Sequence, residues 1–250
     1  NYMESGDSYT DLKRLAFSET YDPFQLENGP TWYMDEIHEW RNEYAADLTM
    51  LLTKTSDTGG LSFLLTDEDG SPHYAFCLVR IQQATSTPTT PIHEIGHMMG
   101  CHHHKEQKTQ PGPGLFPYSA GWRFIGNDEQ LYVDLMSYNA ASYYEDGLPS
   151  IRILYFSNPL IDYLGTPTGD FEDGDNAKTL QNVKHTVATY REAEGNTCNI
   201  NIIKNYTHRG SVSGNGTYES GDLVELIANP NPGYTFRDWT EEGAVLSTDE

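Results

Sequence analysis

The chain has 250 residues, 37% of them hydrophobic and 12% aromatic, which is enough to bury a core and to build more than one compact unit. No apolar run approaches the roughly 20 residues that span a bilayer, so no membrane span is expected. A formal charge of −22 and a pI near 4.6 disfavour nucleic acid as a partner, because binding phosphate calls for a basic stripe.

In chain order, Asp11–Ala16 and Thr31–Tyr44 read as helices, the second carrying Trp32, Ile37, Trp40 and Tyr44 at helical spacing as expected core. Leu48–Leu52 and Gly60–Leu65 read as strands separated by a Thr-Ser-Asp-Thr-Gly-Gly turn, and His73–Ile81 supplies another. Residues 105–114, rich in Lys, Gln, Pro and Gly, read as a loop. Asp175 is placed to cap a helix from Asn176 to about Glu192, with Ala177, Leu180, Val183, Val187 and Tyr190 on one face and Gly195 beyond its end. Before it, Asp170, Glu172, Asp173 and Asp175 crowd a Gly-containing turn. Ca²⁺ takes six to eight oxygens, but the spacing is not that of an EF-hand, so a solvated acidic turn is favoured over a Ca²⁺ site.

The most informative segment is His93-Glu94-Ile95-Gly96-His97-Met98-Met99-Gly100-Cys101-His102-His103, which fits H-E-x-x-H-x-x-G-x-x-H at every fixed position. On a helix, His93 and His97 lie one turn apart on one face, so both imidazoles can reach one ion. Gly100 can adopt positive φ and turn the chain, which returns His103 as a third ligand. Three neutral nitrogens leave a fourth tetrahedral position open, the mark of a catalytic rather than a structural zinc site. Zinc lowers the pKa of its bound water to about 7, and Glu94 is assigned the general base and acid role. His102, His103 and His104 are consecutive, so spacing alone leaves the third ligand open; motif register favours His103, with His102 and His104 facing solvent or lying behind the ligands. Three cysteines cannot all pair: Cys77 with Cys101 is one possible disulfide, leaving Cys198 over.

The long motif resembles the zinc signature of the metzincin metallopeptidases. Asp134-Leu135-Met136-Ser137-Tyr138, about thirty residues on, resembles their Met-turn, in which Met136 would form an apolar floor under the zinc ligands and Tyr138 would assist over the metal. Tyr44-Ala45-Ala46-Asp47-Leu48, the run from Leu115 to Arg123 and Ile153-Leu154-Tyr155-Phe156-Ser157-Asn158-Pro159 extend the likeness over residues 30 to 193, to bacterial reprolysin-like zinc endopeptidases, a group that includes peptidyl-Asp metalloendopeptidases. In the adamalysin/reprolysin branch an aspartate usually follows the third histidine; here His104 stands there. The resemblance implies an α/β (α+β) zincin-like catalytic domain over 1–195, with a twisted, mostly parallel sheet, an active-site helix, a Met-turn and a closing C-terminal helix. It also implies one catalytic zinc, protein or peptide substrates, an edge strand that pairs with substrate, and a pocket wall formed by Tyr155, Phe156, Ser157, Asn158 and Pro159.

After Gly195 the composition shifts to short alternating runs punctuated by Gly and Asn-Pro: residues 210–218, 223–228 and 231–239. Residues 196–250 resemble a divergent internalin-type B repeat, a small all-β or β-grasp-like module with Tyr234, Phe236 and Trp239 as its expected core. One copy is visible, and further repeats after Glu250 are left open. No signal peptide is visible and the chain opens at Asn1, so it is read as an excerpt or a processed form. The reading is a secreted or cell-surface bacterial zinc endopeptidase. Two alternatives stand beside it: an Asp-selective form of the enzyme, and a non-catalytic adhesion or binding protein on the same scaffold. Oligomeric state is not inferable.

Overall fold

The computed structural model describes residues 2–18, 21, 34–86, 89–191, 197–219, 221–241 and 244–248. The chain divides into two compact units, Asn1–Arg191 and Glu192–Glu250. The first is mixed α/β with small sheets.

Its N-terminal part is organised around one central strand. Helix α1 (Ser8–Ala16) is capped by Asp7, whose carboxylate accepts from Thr10 N at 2.8 Å, and it buries Leu12, Leu15 and Ala16. Helix α2 (Asp35–Glu43) precedes β1 (Thr49–Thr53), β2 (Gly60–Ser62) and β3 (Phe76–Arg80), which pair in the order β1-β3-β2. The pairing β1/β3 is parallel and β2/β3 antiparallel, with Leu78 opposite both Leu51 and Leu61. Phe76, Cys77, Leu78 and Val79 are fully buried, because α1 and a later helix, α4 (Thr89–Met98), both pack on β3. Alternation along the strand turns Phe76 and Leu78 to the α1 cluster with Leu12, Leu15 and Phe17. The short helix α3 (Ile81–Ser86) links β3 to α4.

The C-terminal part of this unit holds β4 (Arg123–Ile125), β5 (Leu131–Val133) and β6 (Ile151–Arg152), ordered β4-β5-β6, then the hairpin β7 (Asp162–Tyr163) and β8 (Thr166–Pro167), and helix α5 (Asn176–Val187). Asp175 caps α5, accepting from Lys178 N at 2.9 Å. Leu180 packs against Cys101, Leu135 and Met136, while Val183, Val187 and Tyr190 pack on Leu65 and Ala75, so α5 ties the two parts together.

Several expectations are corrected. The described sheets are mixed rather than mostly parallel. A tight turn joins β4 to β5 and makes that pair antiparallel, and β2 runs antiparallel along β3; only β1/β3 and β5/β6 are parallel. Trp40 and Tyr44 are 52% and 74% exposed, because α2 turns Ile37 and Arg41 inward instead. The Arg41 guanidinium is satisfied by the carbonyls of Ala46, Pro72 and Asp47. The strand from Gly60 ends at Ser62, and Leu65 N donates to His97 O at 3.0 Å instead of to a neighbouring strand. His73 lies in a 3₁₀ turn, and Ile81 opens α3. Cys77 and Cys101 are buried and unpaired: Cys77 is in the middle of β3, and the Cys101 thiol points at Asn176 O. Helix α5 ends at Val187; Trp32, Glu192 and Gly195 lie outside the described residues. In the acidic turn, Asp170 accepts from the amides of Glu172 and Asp173, and Asp173 pairs with Lys105 at 2.6 Å.

The second unit is built of antiparallel pairs: β9 (Thr197–Ile200) with β11 (Gly216–Glu219), β10 (Gly210–Ser213) with β12 (Ile227–Pro230), and β13 (Trp239–Glu241) with β14 (Ala244–Ser247). Leu223 is exposed and the strand expected over 223–228 begins at Ile227. The expected aromatic core is shallow. Phe236 and Trp239 are half-buried against each other and Tyr234 is exposed, stacked near Arg209. About fifty residues bury too little surface to close a core around three large rings.

Candidate metal centre

Helix α4 places His93 and His97 one turn apart and Glu94 beside them. The helix then closes in a Schellman arrangement: Gly100 has φ +83°, its N–H donates to His97 O, and Cys101 N donates to Gly96 O, both at 2.9 Å. Glycine takes this conformation without a Cβ clash, and the reversal it produces sends the chain back over the helix end. Cys101 packs on Leu135 and Met136. Asn176 at the start of α5 then grips His102 from both sides, accepting from its N at 3.3 Å and donating to its O at 3.0 Å. His103 is thereby delivered next to His93 and His97.

The three Nε2 atoms form a nearly equilateral triangle with edges of 3.2, 3.1 and 3.2 Å. A tetrahedral zinc bound at about 2.0–2.1 Å would hold its nitrogens about 3.3–3.4 Å apart, so the triangle fits one ion. Each ring is oriented from behind. The Nδ1 atoms of His93, His97 and His103 lie 3.2, 2.9 and 2.8 Å from the carbonyl oxygens of Leu135, Cys101 and Gln110. Carbonyls only accept, so Nδ1 carries the proton and all three bare Nε2 lone pairs face one point. Three acceptors at this distance repel unless a cation lies among them. Burial reinforces the neutral state: desolvation pulls His93 down to about 4, His103 to about 3 and His97 well below its usual value.

Of the other two histidines in the run, His102 is half-exposed beside the cluster and accepts from His103 N through Nδ1. His104 is buried against Trp122 and Tyr144, which corrects the expectation that it faces solvent; its Nδ1 accepts from Glu106 N.

Glu94 is 5% exposed, and burial pushes its carboxyl up to about 8. Gly60 of the edge strand β2 lies so close that a Cβ there would meet Glu94 Oε1 at 2.4 Å and Cδ at 2.8 Å. The turn Asp134–Tyr138 passes beneath. Met136 is fully buried, its sulfur packed under Gly96 of α4, and Leu135 supplies the carbonyl behind His93. Asp134 organises this turn: its carboxylate accepts from Ser137 N at 2.9 Å, Ser137 Oγ at 2.5 Å and Ser157 N at 3.2 Å. Desolvation raises its pKa to about 6 against those bonds. The Tyr138 ring centre is 4.6 Å from that of His103, and its hydroxyl donates to Gln110 Oε1 at 3.3 Å.

A cavity of about 160 Å³ opens over the cluster. Gly60, Leu61, Ser62 and Leu64 line one side; His93, Glu94, His97, His102, His103, Gln110 and Tyr138 line the other. None of the five expected wall residues lines it. Tyr155 lines a separate cavity, together with Arg152, Ile153, Leu154 and Tyr163. Phe156 packs against the Met136 cluster, and Ser157 is sealed, donating to Ala120 O. Asn158 and Pro159 are half-buried, Asn158 accepting from Leu160 N in a turn. Sequence spacing missed Gln110, which orients both His103 and Tyr138 from an irregular loop, and Gly60, which is distant in sequence from the motif. Neither carries a sequence signal stronger than its residue type.

A buried three-nitrogen cluster, open on one side and flanked by a carboxylate, is the donor set of a hydrolytic metal centre. A model of the family described as "Metallo-peptidase family M12" matches residues 4–137, more than half of the chain, and the chain belongs to that family. A "Divergent InlB B-repeat domain" matches residues 200–250. Similar proteins include two from Stenotrophomonas maltophilia, strains R551-3 and K279a, and one from Xanthomonas campestris pv. campestris, each described as "Peptidyl-Asp metalloendopeptidase". They are 32%, 34% and 33% identical over 191 residues, 76% of this chain and 40%, 40% and 39% of the respective relatives. The chain thus spans about two fifths of the length of these relatives. A solved structure described as "Structure of a chaperone-substrate complex" aligns at a TM-score of 0.41 and 14% identity over 62% of this chain and 22% of that one, a level from which no fold assignment follows.

Two outcomes follow from this geometry. Gly60→Ala drives a methyl group into the Glu94 carboxylate, so peptide cleavage should fall at least about tenfold while zinc content stays at wild-type level; metal analysis and kinetics on the same preparation check it. The ligand pKa values set the acid limit. Histidines held neutral in the fold but not in the unfolded chain contribute stability above about pH 6.5, which is lost as pH falls through about 4 and 3. Zinc retained after dialysis should therefore persist at pH 6 and disappear between about pH 5 and 3.

Proposed function

We propose that the Asn1–Arg191 unit is the catalytic part of a zinc endopeptidase of metzincin type, and that His93, His97 and His103 hold the zinc. The observation that carries this reading is the shared cavity, in which a desolvated Glu94 carboxylate faces the same space as three bare Nε2 atoms. Zinc bound there would polarise a peptide carbonyl and make a water acidic enough to give up a proton near neutral pH.

The chain's own groups supply the rest. Glu94 takes that proton on a carboxylate oxygen and returns it to the leaving amine; the desolvation that raises its affinity for a proton suits the holding and return of it. Tyr138, at the cavity rim, would stabilise the oxygen that gains negative charge once its hydroxyl turns from Gln110 Oε1 toward the cavity. Met136 supports the histidines from below in the role of a Met-turn residue. Strand β2 is at the edge of its three-stranded sheet and lines the cavity, which suits it to pair with an extended substrate backbone.

The residues from 196 onward serve as a spacer or adhesion module, and the whole acts outside a bacterial cell, either secreted or on its surface. A second reading narrows the first: selectivity for Asp at the cleaved bond, in line with what the similar proteins are described as. A purely binding role on this scaffold is disfavoured by Glu94, because a metal-binding scaffold has no need of a buried carboxylate facing the ligands.

Glu94→Ala should keep one zinc per chain and lower cleavage of a mixed peptide library by at least about a hundredfold, and wild-type cleavage should be abolished by 1,10-phenanthroline. Full turnover in the variant, or turnover indifferent to the chelator, would sink the mechanism.

A further inference from the structure

Buried polar atoms in a folded chain are almost always hydrogen-bonded, so the exceptions call for a reason. Among the described residues three side-chain atoms are buried without a hydrogen-bond partner: Ser62 Oγ, Thr89 Oγ1 and Arg152 Nε. Of these three residues, only Ser62 borders the cavity over the metal cluster. Arg152 lines a different cavity, and the negative charge of Asp134 already acts on it.

The strand pattern shows where the Ser62 hydroxyl is directed. Side chains alternate along a strand, so Gly60 and Ser62 share one face of β2 and Leu61 takes the other. Leu61 packs with the α1 cluster, which leaves Gly60 and Ser62 facing α4. At Gly60 that direction leads to Glu94, because a Cβ there would meet the carboxylate. Directly across from Ser62 in β3 is Cys77, whose thiol is pushed to higher proton affinity by burial and by the charge of Glu94. Glu94 thus faces a patch of sheet in which Ser62 carries the one strong donor, a thiol being a weak one. Among the described residues, the Ser62 hydroxyl is also the one group that opposes the effect of burial on the Glu94 carboxyl. The two groups are in mutual reach, yet short of a well-formed hydrogen bond in this structure. Catalytic hydrogen bonds are commonly long before substrate binds and tighten in the complex, and β2, with its open edge, is the strand placed to take up substrate.

We propose that Ser62 is a positioning residue of the reaction: its hydroxyl donates to one oxygen of the Glu94 carboxylate and leaves the other oxygen turned to the water that attacks. This rests on the zinc endopeptidase reading. A glutamate carboxylate can swing about its side-chain torsions, and a donor that pins one oxygen removes that freedom at the moment of proton transfer. A hydroxyl suits both stages, since it donates to the carboxylate and can turn to accept once Glu94 carries the proton.

The test is a double-mutant cycle on peptide cleavage, with zinc content and melting checked for every variant. Ser62→Ala should keep one zinc per chain and lower kcat about tenfold with KM unchanged. In a Glu94→Ala background the same change should alter kcat by less than about twofold, because the group it positions is gone. Ser62→Cys, close in size and a weaker donor, should lower kcat to a value between those of Ser62→Ala and wild type; if Ser62→Ala does not fold, a fall in kcat at unchanged KM in Ser62→Cys decides. A loss carried by KM, or an equal fall in both backgrounds, would make Ser62 a packing or substrate-contacting residue and overturn the proposal. Zinc-dependent cleavage whose kcat is indifferent to Ser62→Ala overturns this inference alone, whereas zinc-loaded wild type that cleaves no peptide overturns the peptidase reading and this inference with it.

Discussion

Three hydrogen bonds that never touch a substrate underlie the rest of the structure: the carbonyls of Leu135, Cys101 and Gln110 behind the three imidazoles. Each comes from a different local structure: the turn after β5, the reversal after Gly100, and the loop at 105–114. A metal centre assembled this way requires all three to be in register. That explains why the surrounding fold is so heavily cross-tied, with Asp134 clamping the turn to Ser157 and Asn176 clamping the reversal to α5. Tying Nδ1 fixes the tautomer, and the fixed tautomer turns three ordinary side chains into a cation site.

The same region concentrates charge that burial disfavours. Glu94 and Asp134 have raised proton affinities through desolvation, and Arg152 has a lowered one from the same cause. A fold selected for stability alone would replace such groups with apolar ones. Their roles differ. Asp134 is saturated by hydrogen bonds and organises the turn; Glu94 keeps unfilled capacity, and it is this capacity that catalysis can use.

Much of the centre was legible in the sequence because its geometry is local. A helix sets the spacing of His93, Glu94 and His97, and the turn after it depends on one glycine, so His103 could be read from register. The departures have physical causes. Helical spacing in α2 could not tell that Arg41, whose fork matches three nearby carbonyls, would take the inward face from Trp40 and Tyr44. The resemblance implies a pocket wall at Tyr155–Pro159, yet Ser157 and Phe156 are drawn into the core by Ala120 O and by the underside of α4. Ser62 and Gln110 matter through contacts made across long sequence separation, which no periodicity encodes.

The central claim is that three histidine nitrogens and no other protein atom hold one zinc. X-ray absorption at the zinc edge of the metal-loaded protein tests it directly. The account requires one zinc per chain with three imidazole nitrogens at about 2.0–2.1 Å, a light oxygen donor completing the shell, and no sulfur. A scattering shell at about 2.3 Å, the signature of thiolate from Cys101 or Cys77, or a fourth imidazole from His102, would close the site and contradict the account.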